Sequence, residues 1–184
     1  MVRQFLLDQN FPRPVIDVHS LDARVRYQHL FDFDRRLATT STPDWMVYLA
    51  AQLGGFDGIV TRDRSQLDQD EEVVALTRTS LTVVTWRRRI EDPVTEWGQL
   101  LAYMPQVLKV MDETGPTICL LPEPRLDRKN NTEKPVNAAR RRASEQRRTL
   151  SELRSETYGL MRQELRRRGR QDLETLFDDP ASKR

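Results

Sequence analysis

Four short apolar runs recur along the first two-thirds of the chain, and they restrict the fold more than any other feature. They are "QFLLD" (4–8), "DGIVTRD" (57–63), "LTVVTW" (81–86) and "TICLL" (117–121). Each is too short to be a core helix and is rich in β-branched or leucine side chains, so each reads as a strand buried on both faces. Between them lie "TTSTPDWMVYLAAQLGG" (39–55), "DQDEEVVALTRTS" (68–80) and "PVTEWGQLLAYMPQVLKVMDETG" (93–115), all with helical spacing. Strands that alternate with helices imply crossover connections, and hence a mostly parallel sheet covered by helices.

The helices carry start and stop signals. Thr42 is the expected N-cap, Pro43 the first helical residue and Asp44 a first-turn acid. Met46, Leu49, Ala50 and Leu53 form the apolar stripe, and Gly54-Gly55 ends the helix. "NFPRPVIDVHSL" (10–21) reads as a turn and a first helix. "RVRYQHLFDFD" (24–34) alternates polar and apolar residues, so a further strand is expected, ending near Asp32 and Asp34. Pro105 should kink the helix that contains it.

The net charge of +2 conceals an asymmetry. Residues 1–121 hold 13 Lys and Arg against 17 Asp and Glu, and residues 122–184 hold 17 against 11. An acidic body joined to a basic tail calls for an anionic partner, or for a tail folded onto its own body. The chain reads as a body (1–121), a linker (122–136) rich in Pro, Asn and charge, and a basic helical extension (137–184). Within the extension, 137–168 contains no proline, and one long arginine-rich helix is expected.

No run is long enough to span a membrane and no signal peptide opens the chain, so a soluble, cytoplasmic protein is expected. The single cysteine, Cys119, excludes an internal disulfide. His19 and His29 are the only histidines and neither accompanies a nucleophile pattern. There is no phosphate-binding glycine loop and no Cys/His cluster for zinc.

The chemistry is in the acids. In a parallel sheet, the C-terminal strand ends and the following helix N-termini share one edge, where ligands bind. Asp8 ends the first strand, Asp63 follows "GIVTR", and Asp44 begins a helix. Taken singly, each has a plainer role as a turn former or a helix-start acid. Together they would repel one another unless a hard cation with oxygen ligands, Mg²⁺ or Mn²⁺, were shared between them.

"FLLDQN" followed by a proline-containing segment, "TPDWMVYLAAQLGGFDGIVTRDRS", and acids ahead of "VVAL" give the chain a family likeness over residues 4–121, strongest over 42–76. It resembles the PIN-domain superfamily of metal-dependent nucleases, nearest the PIN-like branch of VapC-type toxins. The resemblance implies a PIN-like three-layer α/β/α fold and hydrolysis of RNA phosphodiester bonds. It implies Asp8, Asp44 and Asp63 as the catalytic, metal-holding acids and Thr61 as a hydroxyl that steadies them. A fourth acid would be Asp68, Asp34 or Glu72, with Asp68 preferred for its closeness to Asp63. Asn10 would add a polar contact, and Arg62 or Arg64 would hold the substrate backbone. The implied partners are RNA and a cognate antitoxin. The rival reading is a PIN-like module that binds RNA or protein without cutting.

The arginine clusters at 140–142, 147–148 and 166–168 admit three roles. Arg140, Arg141, Arg142, Arg147 and Arg148 could grip phosphates. The helix could be a solvated one laced with Glu. Leu150, Leu153, Leu160 and Leu165 could form a seam to a second subunit or an antitoxin.

Overall fold

The computed structural model describes residues 2–11, 22–88, 90–114, 116–122 and 132–177. The four expected strands form, at Arg3–Leu7 (β1), Gly58–Val60 (β3), Thr82–Trp86 (β4) and Thr117–Leu121 (β5), together with Val25–His29 (β2). These five strands run parallel in the order β2-β1-β3-β4-β5, and Thr132–Glu133 (β6) adds an antiparallel edge. The strand predicted over 24–34 therefore stops at His29, where the His29 imidazole caps a single helical turn, Leu30–Phe33 (α1). Part of the predicted linker is β6, and the helix expected within 10–21 falls outside the described residues from residue 12 onward.

Helices cover both faces, in an α/β three-layer arrangement. On one face Phe5, Leu7, Val60, Val84 and Cys119 pack beneath Pro93–Thr114 (α4), through Trp97, Leu100, Met104 and Val107. On the other, Leu6, Ile59, Val83 and Ile118 meet Asp44–Leu53 (α2) and Asp70–Leu76 (α3). Residues adjacent in each strand go to opposite layers because strand side chains alternate. With both faces buried, the runs read as continuous apolar stretches. The close approach of β3 to its neighbours requires Gly58, where a Cβ would lie 2.6 Å from both the Phe5 ring and the Thr82 carbonyl oxygen. Helix α4 runs on through Pro105.

The basic C-terminal region is built differently from the expectation. It is two helices, Pro135–Glu145 (α5) and Leu150–Arg167 (α6). Arg147 turns the chain between them with φ 56°, a left-handed conformation that costs a non-glycine residue about 1–2 kcal/mol. A capping box then starts α6: the Thr149 hydroxyl accepts from the Glu152 N–H, and the Glu152 carboxylate accepts from the Thr149 N–H. "TLSE" at 149–152 is the signal for this start, and it outweighs the uninterrupted helical composition around it.

Both helices pack on the body. Ala138, Ala139 and Ala143 of α5 pack with Val73 and Val74 of α3, their small side chains allowing a close approach. Leu153, Met161 and Leu165 of α6 are buried, as are Leu173 and Phe177 in the following 3₁₀ segment Gln171–Phe177. Most of the apolar seam predicted for a partner is thus spent within the chain; Leu160 alone of its members is markedly exposed, at 53%. If this layer is integral, Leu165→Ala should destabilise the whole domain by about 3 kcal/mol in chemical denaturation. A detachable tail would lose almost nothing.

Candidate functional site

The C-terminal edge of the sheet holds the acids. Leu7 pairs with Val60, so the residues after them, Asp8 and Thr61, lie side by side where the two strands end. The buried Thr61 hydroxyl donates to Asp8 Oδ2 at 3.0 Å and accepts from the Asp63 N–H at 3.1 Å, joining the two strand-end acids through one oxygen. The Gln9 N–H donates to Asp8 Oδ1 at 2.6 Å, and the Asn10 amide reaches Asp8 Oδ2 at 3.4 Å. Asp63 Oδ1 accepts from both the N–H and the hydroxyl of Ser65, starting a 3₁₀ turn over Arg64–Asp68.

Asp44 enters from α2. The structure makes Pro43 the N-cap and Asp44 the first helical residue, one step later than the Thr42 cap expected. At this position the helix dipole favours an ionised carboxylate by up to about 2 kcal/mol, which is worth little more than one pKa step of ~1.4 kcal/mol. Burial, together with the negative charges of Asp8 and Asp63, overrides it and pushes Asp44 up to about 7. These three sequence-predicted acids therefore share one edge, and Asp44 feels the charge of the other two.

The fourth member is Glu72, on the first turn of α3. It is only 6% exposed, and its Oε2 is buried without a hydrogen-bond partner. Burial first, and then the charges of Asp44, Glu71 and Asp63, raise its pKa to about 9, against a smaller opposing effect of Arg142. Asp68, preferred from the sequence, is exposed on the 3₁₀ turn and faces a groove shared with α5 and α6. The turn that begins at Asp63 carries Asp68 outward, and the first turn of α3 brings Glu72 back in. Asp34, the other candidate, is occupied by Arg36 at 2.9 Å and Arg170 at 3.4 Å.

Tyr48 marks the point of convergence. It lies one helical turn beyond Asp44 and is fully buried; its pKa is raised by burial and then by Glu72, Asp44, Asp8 and Asp63, in that order. All four carboxylates act on this one phenol. The spacing of Asp44 and Tyr48, four apart on a helix, was the available signal for it.

The donor set suits a hard divalent cation: carboxylates, a hydroxyl and an amide, with neither thiolate nor imidazole. Its spacing is more open than a ligand shell. Among the described residues, no group of three or more His, Cys, Asp or Glu is placed to hold a metal ion as it stands. The acids form a partly buried anionic rim, with Asp8 and Asp63 hydrogen-bonded to their own loops.

The arginines are distributed otherwise than expected. Arg62 donates to the Glu96 carboxylate at 2.8 Å, to Asn10 O at 3.3 Å and to Ile90 O at 3.2 Å. It neutralises a buried glutamate and fastens the start of α4. Arg64 is exposed and donates to Arg87 O at 2.9 Å. Of the five arginines expected on phosphate, Arg142 is turned inward onto the 3₁₀ turn and α3, with a side chain 14% exposed. Arg148 pairs with Glu156 at 2.7 Å, Arg141 stands 3.9 Å from Glu145, and Arg140 and Arg147 are exposed.

Elsewhere, His29 is buried, with Nε2 3.2 Å from Phe11 O, and Cys119 is a buried thiol pushed up to about 12. Neither has the surroundings of a catalytic group, and His19 lies outside the described residues. No helix among the described residues is long and apolar enough to cross a membrane. Compared with family models, curated proteins and solved structures, the chain matches none of them.

The raised acids make stability depend on pH. Glu72 titrates near 4.5 when unfolded and at about 9 when folded. Over that interval the folded state binds more protons, so stability is fully present below pH 4.5 and is lost as pH rises through about 9. In buffer containing chelator, Glu72→Gln should match wild type in melting temperature at pH 4 and exceed it progressively towards pH 9.

Proposed function

We propose that the chain is a divalent-cation-dependent ribonuclease of PIN-like fold that hydrolyses RNA phosphodiester bonds. The observation that carries this reading is the convergence of Asp8, Asp44, Asp63 and Glu72 at the C-terminal edge of a parallel sheet. The raised pKa values of Asp44 and Glu72 are a folding cost, and acids perturbed in this way cluster at functional sites. A cation removes that cost and gives the acids a task. The sequence resemblance to PIN-like nucleases extends the reading to the toxin component of a toxin–antitoxin pair, held in check by an antitoxin protein.

Asp8, Asp44, Asp63 and Glu72 would hold Mg²⁺ or Mn²⁺. When bound, such an ion supplies Lewis-acid polarisation of a phosphate and a water of lowered pKa. The chain's own residues do the rest. The Thr61 hydroxyl fixes Asp8 Oδ2 and the Asp63 backbone, so the two strand-end acids keep their spacing. Asp44, pushed up to about 7 by burial and by Asp8 and Asp63, would become fully ionised as a ligand, so cation binding there would release a proton near neutral pH. Arg64, exposed at the same strand ends, is a candidate for the phosphate backbone flanking the reacting bond.

The alternative, a PIN-like module that binds RNA or protein without cutting, is favoured by the open spacing of the acids. The two readings separate in one assay. Purified protein is incubated with single-stranded and structured RNAs in Mn²⁺ or Mg²⁺, in chelator, and as Asp63→Asn. The nuclease reading expects cleavage that chelator abolishes and that Asp63→Asn lowers by at least about 100-fold, beyond the 10–100-fold typical of a supporting residue. RNA binding without cleavage in any cation would establish the module instead.

A further inference from the structure

Arg142 sits on α5 and reaches across to the segment that joins Asp63 to Glu72. Its Nη1 donates to Asp68 O at 2.6 Å and to Asp70 Oδ1 at 2.9 Å, and its Nη2 donates to Leu67 O. Gln146, one helical turn later, donates to the other Asp70 oxygen. A single guanidinium thus closes the end of the 3₁₀ turn against the start of α3. Two backbone carbonyls and a carboxylate are held by one planar fork, a geometry that lysine's single ammonium cannot reproduce.

The opposite flank of the acid rim has a similar arrangement. Arg168, at the end of α6, donates to Ser41 O at 2.7 Å, and Arg170 pairs with Asp34 at 3.4 Å with its side chain 12% exposed. Both contacts fall on the 34–43 connection that delivers Asp44 to the start of α2. A cavity of about 390 Å³ lies between these flanks, lined by Pro43, Trp45 and Glu72 from the body and by Leu160, Met161 and Glu164 from α6.

We infer that Arg142 is a positioning residue: from the C-terminal layer it fixes the Leu67–Asp70 segment and thereby sets the distance of Glu72 from Asp63 at the acid rim. The inference rests on the reading of that rim as a cation site for its functional consequence, though not for its structural one. It also reassigns the basic region. Arg142 holds the chain's own carbonyls, and phosphate is not needed to explain it.

Two measurements on the full chain test this. The first is amide hydrogen exchange over residues 64–74 in the absence of divalent cation. Arg142→Lys and Arg142→Ala should speed exchange there at least about 10-fold, with the strands β1, β3 and β4 unchanged. Unchanged protection in both variants overturns the proposal. Arg142→Lys keeps the charge and the stem, so it provides a folded variant if Arg142→Ala does not fold. The second is Mn²⁺ binding followed by electron paramagnetic resonance. Both variants should weaken binding by about 10–100-fold, as loss of a supporting residue does. A folded variant with the wild-type Mn²⁺ affinity overturns the positioning role. If wild type itself binds no Mn²⁺, the cation reading fails, and the clamp is then decided by the exchange result alone.

Discussion

Mutual repulsion among partly buried carboxylates is the constraint around which this edge of the molecule is organised. Parallel pairing of β1 with β3 fixes Asp8 beside Thr61 and brings Asp63 within reach of the same hydroxyl. The helices α2 and α3 then bring Asp44 and Glu72 towards them, and both take pKa values far above ordinary carboxylates. A fold selected for stability alone would place such groups in water or give each an arginine.

The chain does so elsewhere on the same edge. Glu96 is 1% exposed, yet Arg62 meets its carboxylate at 2.8 Å. Glu72 is similarly buried, at 6% exposed, and among the described residues no arginine or lysine forms an ion pair with it. Arg142, whose positive charge opposes the rise in the Glu72 pKa, is committed to Asp70 and two carbonyls. The contrast between a neutralised and an unneutralised buried acid is what sets the rim apart from ordinary strand-end chemistry. With no such partner, Glu72 is held protonated at neutral pH, its pKa raised to about 9 by burial and by neighbouring acids.

The C-terminal third participates in this arrangement as a structural layer. Its alanines and leucines cover α3 and α2, and its arginines tie down the two connections that carry Asp44 and Glu72 into place. The basic charge that suggested an RNA-gripping arm is divided: part is bound to the body, part is paired with glutamates of α6, and part remains exposed. The basic layer thus contacts both segments that lead to the acid rim, although the two are far apart in the chain.

The sequence by itself indicated the parallel α/β core, because four short apolar runs rich in β-branched or leucine side chains alternate with helical segments. It also determined the approach of Asp8, Asp44 and Asp63, since strand ends and helix starts in such a sheet must share an edge. Tertiary structure alone decided that Glu72 and not Asp68 joins them, because that depends on how a 3₁₀ turn rotates the chain before α3. It decided too that the arginine-rich region breaks at Arg147 and packs down. The capping signal at Thr149 was present in the sequence, but helical propensity over a long polar stretch says nothing about which face finds a partner. That is settled by which apolar surfaces remain uncovered once the sheet and its first helices have formed.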